Sequence, residues 1–493
     1  MKKRLSIALT IIFIVGIISS PILAQQSPSV SSDYVKNFFG AVHLNPQYHS
    51  YANLIGIRWG RQGAQWDKVE PMQGQFDFEA YDKLINSAKA HNIENLTVLT
   101  HSAPWASSAP KGVDNRNKYP PKKEMVSAWK DYIETVVKRH PEVQYFEVWN
   151  EPNIDWFLHS DQNYKIYVDR ILKPAAEVIH KYGRKVVGLS FTTEWPLDSW
   201  PPRHRPRKHS ENVQSNIEAM NRWLSYHDAW KSVDILSFHY THGDVDRKGN
   251  PNEDNMMAFY DYLYKNWIKT GKLEGVWDTE EGFAGVEAGM QGFVSLDWWE
   301  DPPLGQWGAR YTIPVLHWAI KHDWQMRDQY KVFWYHMSVG HHPRNMLKPT
   351  TGDTLALTQT SKAMKTIIHE LSSGDSLGVY SPKVKVGFGM QAQDTTAINY
   401  FAPYYFKNYA FIQDHNLFIA SWLNLPGMKA FGQPVQVKIN GLKPGRNIKI
   451  QKINYLTGES STVSNYQWLD NGTLFVKIAP TDDPVLYLRI LRE

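Results

Sequence analysis

Residues 144–153 read "QYFEVWNEPN". The first half is a run of aromatic and aliphatic side chains, the pattern of a strand buried on both faces in a parallel sheet. The second half sets an amide, an acid and a proline where that strand must stop, because proline brings no N–H to a ladder. If the strand belongs to a barrel, Asn150, Glu151 and Pro152 sit at the strand's C-terminal end, where barrel enzymes collect their chemistry.

Seven further runs of the same kind occur along the chain: "FFGAVHL" (38–44), "GIRWGR" (56–61), "NLTVLT" (95–100), "KVVGLS" (185–190), "VDILSFH" (233–239), "GVWDTE" (275–280) and "KVFWYH" (331–336). Helical stretches separate them. In "KEMVSAWKDYIETVVKRH" (123–140) and "NYKIYVDRILKPAAEVIHKYG" (163–183) apolar residues recur every three or four positions, and the second ends on Gly183. Eight strand–helix alternations predict a (β/α)₈ TIM barrel. An open doubly wound sheet is the competing architecture, but no glycine-rich turn follows the first strand as a dinucleotide site requires.

Beyond the helical segment "SKAMKTIIHELSS" (361–373) the texture changes to short strands such as "NLFIASWL" (416–423), "QPVQVKI" (433–439) and "VLYLRIL" (485–491). Turn residues punctuate them, which predicts an antiparallel β-sandwich. The expected organisation is a leader at 1–24, a barrel at 25–374 and a sandwich at 375–493. The leader "MKKRLSIALTIIFIVGIISSPILA" joins a cationic head to an apolar run of secretory length and reads as a cleaved signal. A secreted or periplasmic protein follows, with no membrane anchor. Its core must hold without disulfides, because the chain has no cysteine. A formal charge of +5, three of whose cations (Lys2, Lys3, Arg4) belong to the leader, is too small to suggest nucleic acid as a partner.

"VWDTEEG" brings Glu280 to the end of the seventh strand as "WNEPN" brings Glu151 to the end of the fourth. Two carboxylates facing each other on one rim are what glycosidic hydrolysis needs, one protonating the leaving oxygen and one attacking or activating water. Glu281 rivals Glu280. Unbroken strand periodicity puts Glu280 with Val276 and Asp278, and Glu281 with Trp277 and Thr279.

These motifs resemble clan A glycoside hydrolases, the retaining (β/α)₈ families, most of all family 39 with family 5 next. The likeness runs over roughly residues 38–372 and includes "GIRWGRQGAQWDKVEPMQGQFDFEAYDKLI" (56–85). It implies Glu151 as acid/base, Glu280 as nucleophile and Asn150 as the partner of the sugar 2-hydroxyl. Arg58 would be the second-strand arginine that keeps the nucleophile ionised, or the partner of Glu147. His101 would follow the third strand, His239 or Tyr240 would touch the nucleophile, and Trp334 would floor the sugar site. The charge on the nucleophile would raise the acid's pKa until the glycosyl-enzyme forms.

Trp156, Trp195, Trp200, Trp298 and Trp299 offer stacking platforms. Arg203, Arg205, Arg207, Lys208, His341, His342 and Arg344 suit an anionic polysaccharide. No metal or cofactor is expected: there is no HExxH string, and "GDVDRKGN" (243–250) lacks a calcium loop's terminal glutamate. The expectation is thus a retaining hydrolase of β-linked glycans, against a transglycosylase with the same residues or a non-catalytic polysaccharide binder.

Overall fold

Eight parallel strands close into a barrel: β1 (Phe39–Val42), β2 (Trp59–Gln65), β3 (Glu94–Thr100), β4 (Tyr145–Val148), β5 (Lys185–Thr192), β6 (Ile235–His239), β7 (Gly275–Glu281) and β8 (Tyr330–Trp334), with β8 pairing β1. All eight fall on the runs read from the sequence, β2 starting three residues later. The computed structural model describes residues 28–160, 163–193, 209–240, 253–281, 305–322, 328–339, 345–352, 354–380, 383–388, 406–423, 434–442, 447–470, 472–481 and 485–492. The leader, the cationic loop residues, segment 243–250 and Trp195, Trp200, Trp298 and Trp299 lie outside these.

Side-chain alternation divides the barrel wall into two layers. Val42, Trp59, Leu96, Val187, Ile235, Trp277 and Phe333 point inward and plug the barrel. Trp59 and Trp277 meet edge to face at 5.3 Å, and buried Lys331 lies 4.2 Å over the Trp59 ring. The outward residues pack under the helices. In helix Glu79–Ala90 these are Tyr81, Leu84, Ile85 and Ala88, and in Val126–Arg139 they are Trp129, Tyr132, Ile133, Val136 and Val137. Both sets follow the three-and-four spacing of one helical face. Lys138 and Arg139 close the second helix at the end where the dipole favours cations.

Two interruptions of the alternation matter for the site. Between Gly188 and Phe191 in β5, and between Asp278 and Glu281 in β7, two residues on one strand oppose one on its neighbour. Each is a bulge, which re-aims the side chains that follow it.

The C-terminal region forms an antiparallel seven-stranded sheet and an antiparallel four-stranded one around their own core of residues such as Ile419, Val437, Val476 and Leu488. The first strand of the larger sheet comes from the other end of the chain: Ser29–Ser31 pairs with Ser376–Val379. The sheet's other face is continuous with the barrel's outer core through Phe411, Phe418, Trp422, Val485 and Tyr487. Around that seam His317 touches the rings of Tyr409 and Phe411, Arg489 pairs with buried Glu370, and Gln413 donates to the Glu370 carbonyl at 2.8 Å. Removing residues 376–493 would strip this cover and expose an apolar face larger than a soluble monomer normally shows. The truncated protein is expected to be insoluble. Soluble, cooperatively melting barrel after expression of residues 28–375 would show that the sandwich does not buttress it.

Candidate active site

Arg61, Glu147, Asn150, Glu151, Ser190, His239 and Glu280 come together at the C-terminal ends of the barrel strands. Arg61, third residue of β2, points inward one step above the Trp59 plug. Its Nε donates to Glu147 Oε2 at 2.5 Å, Nη1 pairs with Glu280, and Nη2 reaches Asn150 Oδ1 at 2.8 Å and Ser190 Oγ at 3.3 Å. Glu147 is fully buried on β4 and takes a second bond, from Thr279 Oγ1 at 2.7 Å. One guanidinium therefore ties β2, β4, β5 and β7 together, and its planar fork suits that task where a lysine would not.

The contact expected of Arg58 is thus made by Arg61. Arg58 precedes β2, its N–H bonding the Phe39 carbonyl and its carbonyl accepting from Glu94. Three residues are about 10 Å of strand and an odd number of side-chain flips, which puts Arg58 at the wrong height and on the wrong face.

The β7 bulge decides between the two adjacent glutamates. It turns Glu280 into the barrel beside Thr279, against the periodicity, while Glu281 is carried to the outer wall with Asp278. There burial holds both carboxyls well above the usual range. The matching β5 bulge brings Ser190 inward.

Glu151 follows β4 by three residues with a left-handed backbone, φ 41°, and Trp149 before it has φ 72°. Such conformations cost about 1–3 kcal/mol each and persist where surroundings enforce them. Here the Glu151 N–H donates to the Ser190 carbonyl at 3.0 Å. Asn153 exchanges two bonds with the Thr192 backbone, at 2.9 and 3.0 Å, and Trp149 Nε1 holds the Phe157 carbonyl at 3.0 Å.

His239, fully buried at the end of β6, stands between the two acids. Its Nδ1 lies 2.8 Å from Glu151 Oε1 and 3.6 Å from Glu280 Oε2, and its Nε2 lies 3.1 Å from Ser190 Oγ. One ligand atom from each of Glu151, His239 and Glu280 falls within 4.8 Å of the others. That spacing would also admit a metal ion. Carboxyl oxygens this close lie nearer the short separation of retaining glycosidases, about 5–5.5 Å, than the wide one of inverting enzymes. Burial, and then the Arg61 charge, pull the His239 pKa down to about 4 against the attraction of Glu280 and Glu147, so the ring is neutral at pH 7. A proton on Nδ1 satisfies every partner: Arg61 donates to Ser190, Ser190 to Nε2, and Nδ1–H to Glu151.

His317, near the sandwich seam, is likewise pulled down to about 4 by burial and by Lys321. For both histidines the unfolded chain, with pKa near 6.5, takes up the proton first. Stability is therefore whole above about pH 6.5 and falls as pH drops toward 4, by up to about 3 kcal/mol for a fully buried ring such as His239. Denaturant midpoints at pH 7 and pH 4.5 should differ, and the difference should shrink in His239→Asn and His317→Asn. An unchanged pH slope in both variants would contradict this.

The remaining sequence candidates distribute unevenly. His101, with φ 63°, turns toward the short helix Trp66–Val69 after β2, its Nδ1 3.8 Å from Asp67. Tyr240 packs against Phe238 and Phe259 in the outer wall, so the contact with the acids belongs to His239. Trp334 faces outward into the helix layer and does not floor the site, because Phe333 takes the inward position. Tyr335, next in line, borders the inner layer instead, with its N–H on the Glu281 carbonyl at 2.7 Å. Trp156 is exposed on the loop after Glu151.

Known proteins resemble this chain in sequence and in fold. Residues 62–181, from β2 through the helix after β4, match the glycosyl hydrolase family 10 profile. The chain is 26% identical over 203 residues to endo-1,4-beta-xylanase A of Halalkalibacterium halodurans, covering 35% of this chain and 49% of that protein. The chain thus spans about half the length of the curated relative it matches. Among solved structures, a family 39 glycoside hydrolase from Bacteroides cellulosilyticus WH2 superposes with TM-score 0.60 at 14% identity, over 94% of this chain and 82% of the other. A monomeric beta-xylosidase from Caulobacter crescentus CB15 superposes with TM-score 0.55 at 15% identity, over 95% and 98%. The likeness to clan A glycoside hydrolases, read first from the two glutamate motifs, is borne out.

Proposed function

We propose that this chain is a retaining glycoside hydrolase that cleaves β-linked, xylan-type glycans by double displacement. The observation that carries the reading is the approach of Glu151 and Glu280 at the barrel mouth, with an ion pair between Arg61 and Glu280. The cation favours a charged Glu280, the nucleophile, which bonds to the anomeric carbon as the glycosidic bond breaks. Glu151 gives its proton to the departing oxygen. In the second step Glu151 takes a proton from water, the water oxygen bonds to the anomeric carbon, and Glu280 leaves as carboxylate. Because Glu151 Oε1 already accepts from His239, the transferable proton rides on Oε2. Asn150, its carbonyl oxygen held by Arg61, is left with an amide to donate to the sugar 2-hydroxyl. The xylan-type substrate rests on the names of the relatives. Export rests on the leader, and an anionic glycan on the cationic loops.

Proton NMR of the first product released from a xylo-oligosaccharide tests the mechanism. The β anomer is expected, together with a mass increment on Glu280 after treatment with a 2-deoxy-2-fluoro xyloside. Initial α product, or a label elsewhere, would sink it.

A further inference from the structure

We propose that Lys118 and Trp156 form a leaving-group subsite that grips a sugar bearing an acidic substituent, carboxylate or sulfate. The inference deepens the hydrolase reading and rests on it for the position of the leaving group.

Trp156 lies five residues beyond Glu151, and tight turns hold the loop between. The Ile154 N–H bonds the Glu151 carbonyl at 3.2 Å, and the Phe157 and Leu158 N–H groups both bond the Ile154 carbonyl at 3.1 Å. Leu158 is fully buried, yet Trp156 is 62% exposed. The anchored loop thus holds a largely exposed indole five residues beyond Glu151, where an amphipathic ring can take part in stacking on a sugar. Lys118 Nζ lies 4.3 Å over the Trp156 ring. The lysine's backbone is fixed as firmly. Its carbonyl accepts the His159 N–H at 3.0 Å, the Asn117 carbonyl accepts from Ser102 at 2.8 Å, and Asn117 Nδ2 donates to Asp67 at 3.0 Å. No carboxylate of the described residues forms an ion pair with Lys118. A cation that no described carboxylate neutralises, set over one face of an exposed ring whose plane can stack on a pyranose, makes a two-part receptor. Glu151 protonates the leaving oxygen, so the departing sugar lies on Glu151's side of the cleft, toward this lip of the loops after β3 and β4.

The test titrates full-length Glu280→Gln protein, which binds without consuming its ligand. The ligands are three oligosaccharide preparations on one xylan backbone: glucuronate-bearing, the same after carboxyl reduction, and sulfated. Binding of an acidic ligand about tenfold tighter than the reduced one is expected, the two acidic arms telling carboxylate from sulfate. Lys118→Met and high salt should each erase that preference, Lys118→Glu should invert it, and Trp156→Ala should weaken all three ligands about fivefold to tenfold. Equal affinity for acidic and reduced ligands, or a preference that survives Lys118→Met, overturns the subsite. Wild-type protein that keeps the acid preference but cleaves none of the three overturns the hydrolase reading and leaves the subsite standing.

Discussion

Replacing Glu151 with glutamine should slow hydrolysis of a glycoside with a poor leaving group by about 10²–10⁴-fold, the usual worth of a positioned general acid. The substitution is nearly silent in shape. The glutamine oxygen can still accept from His239 Nδ1, as Oε1 does at 2.8 Å, and the Ser190 carbonyl still holds the backbone N–H. What disappears is the transferable proton. With an activated aryl leaving group the first step needs no acid, so the glycosyl-enzyme should form and then stall for want of a base to deprotonate water. Azide needs no deprotonation and should restore turnover, releasing a glycosyl azide of retained configuration. Steady-state rates on both substrate types, with and without azide, check each part. A variant as active as the parent on the poor leaving group would remove Glu151 from the acid role.

Arg61→Met is expected to damage stability and catalysis together. Four acceptors lose their donor at once: fully buried Glu147, Glu280, the Asn150 oxygen and Ser190 Oγ. Stripping one partner from a buried ion pair typically costs about 3–5 kcal/mol, because the charge left behind has no water. The denaturant midpoint should fall accordingly, and turnover with it. A second change, Glu147→Gln in the Arg61→Met background, should recover part of the stability, since the amide carries no charge and can still accept from Thr279. It should recover no turnover, because Glu280 would remain without its cation. A midpoint equal to the parent's in Arg61→Met would mean that the guanidinium is not the tie its contacts suggest.

Much of the architecture was legible because it is periodic. All eight strands and the helix over 126–139 announce themselves by runs and three-and-four spacing, and both glutamates sit where their strands run out. What escaped depends on register. "IRWGRQG" offers two arginines three apart, and only the true start of β2 at Trp59 tells which one faces inward. The alternation Trp59, Arg61, Gly63 carried that signal. Trp334 was misplaced by one residue for the same reason, Phe333 being the inward ring. The bulges in β5 and β7 have no local signature. Unbroken alternation would have sent Glu280 outward, and only the motif resemblance chose it. Ser190, Thr279 and Asn153 went unnoticed because small polar residues at strand ends are common, and their importance appears only once four strands converge.

The pairing of Ser29–Ser31 with Ser376–Val379 sets a clock on biosynthesis. The two segments are separated by almost the whole barrel, so the first strand has no partner until that barrel has left the ribosome. At about 5–20 residues per second the wait is roughly 20–70 s. Until then the polypeptide can be neither sealed at its start nor covered along the helices that the sandwich later shields. The fold is therefore locked by a part made after the barrel, and a ribosome stalled before residue 376 would carry a chain that chaperones still have reason to hold.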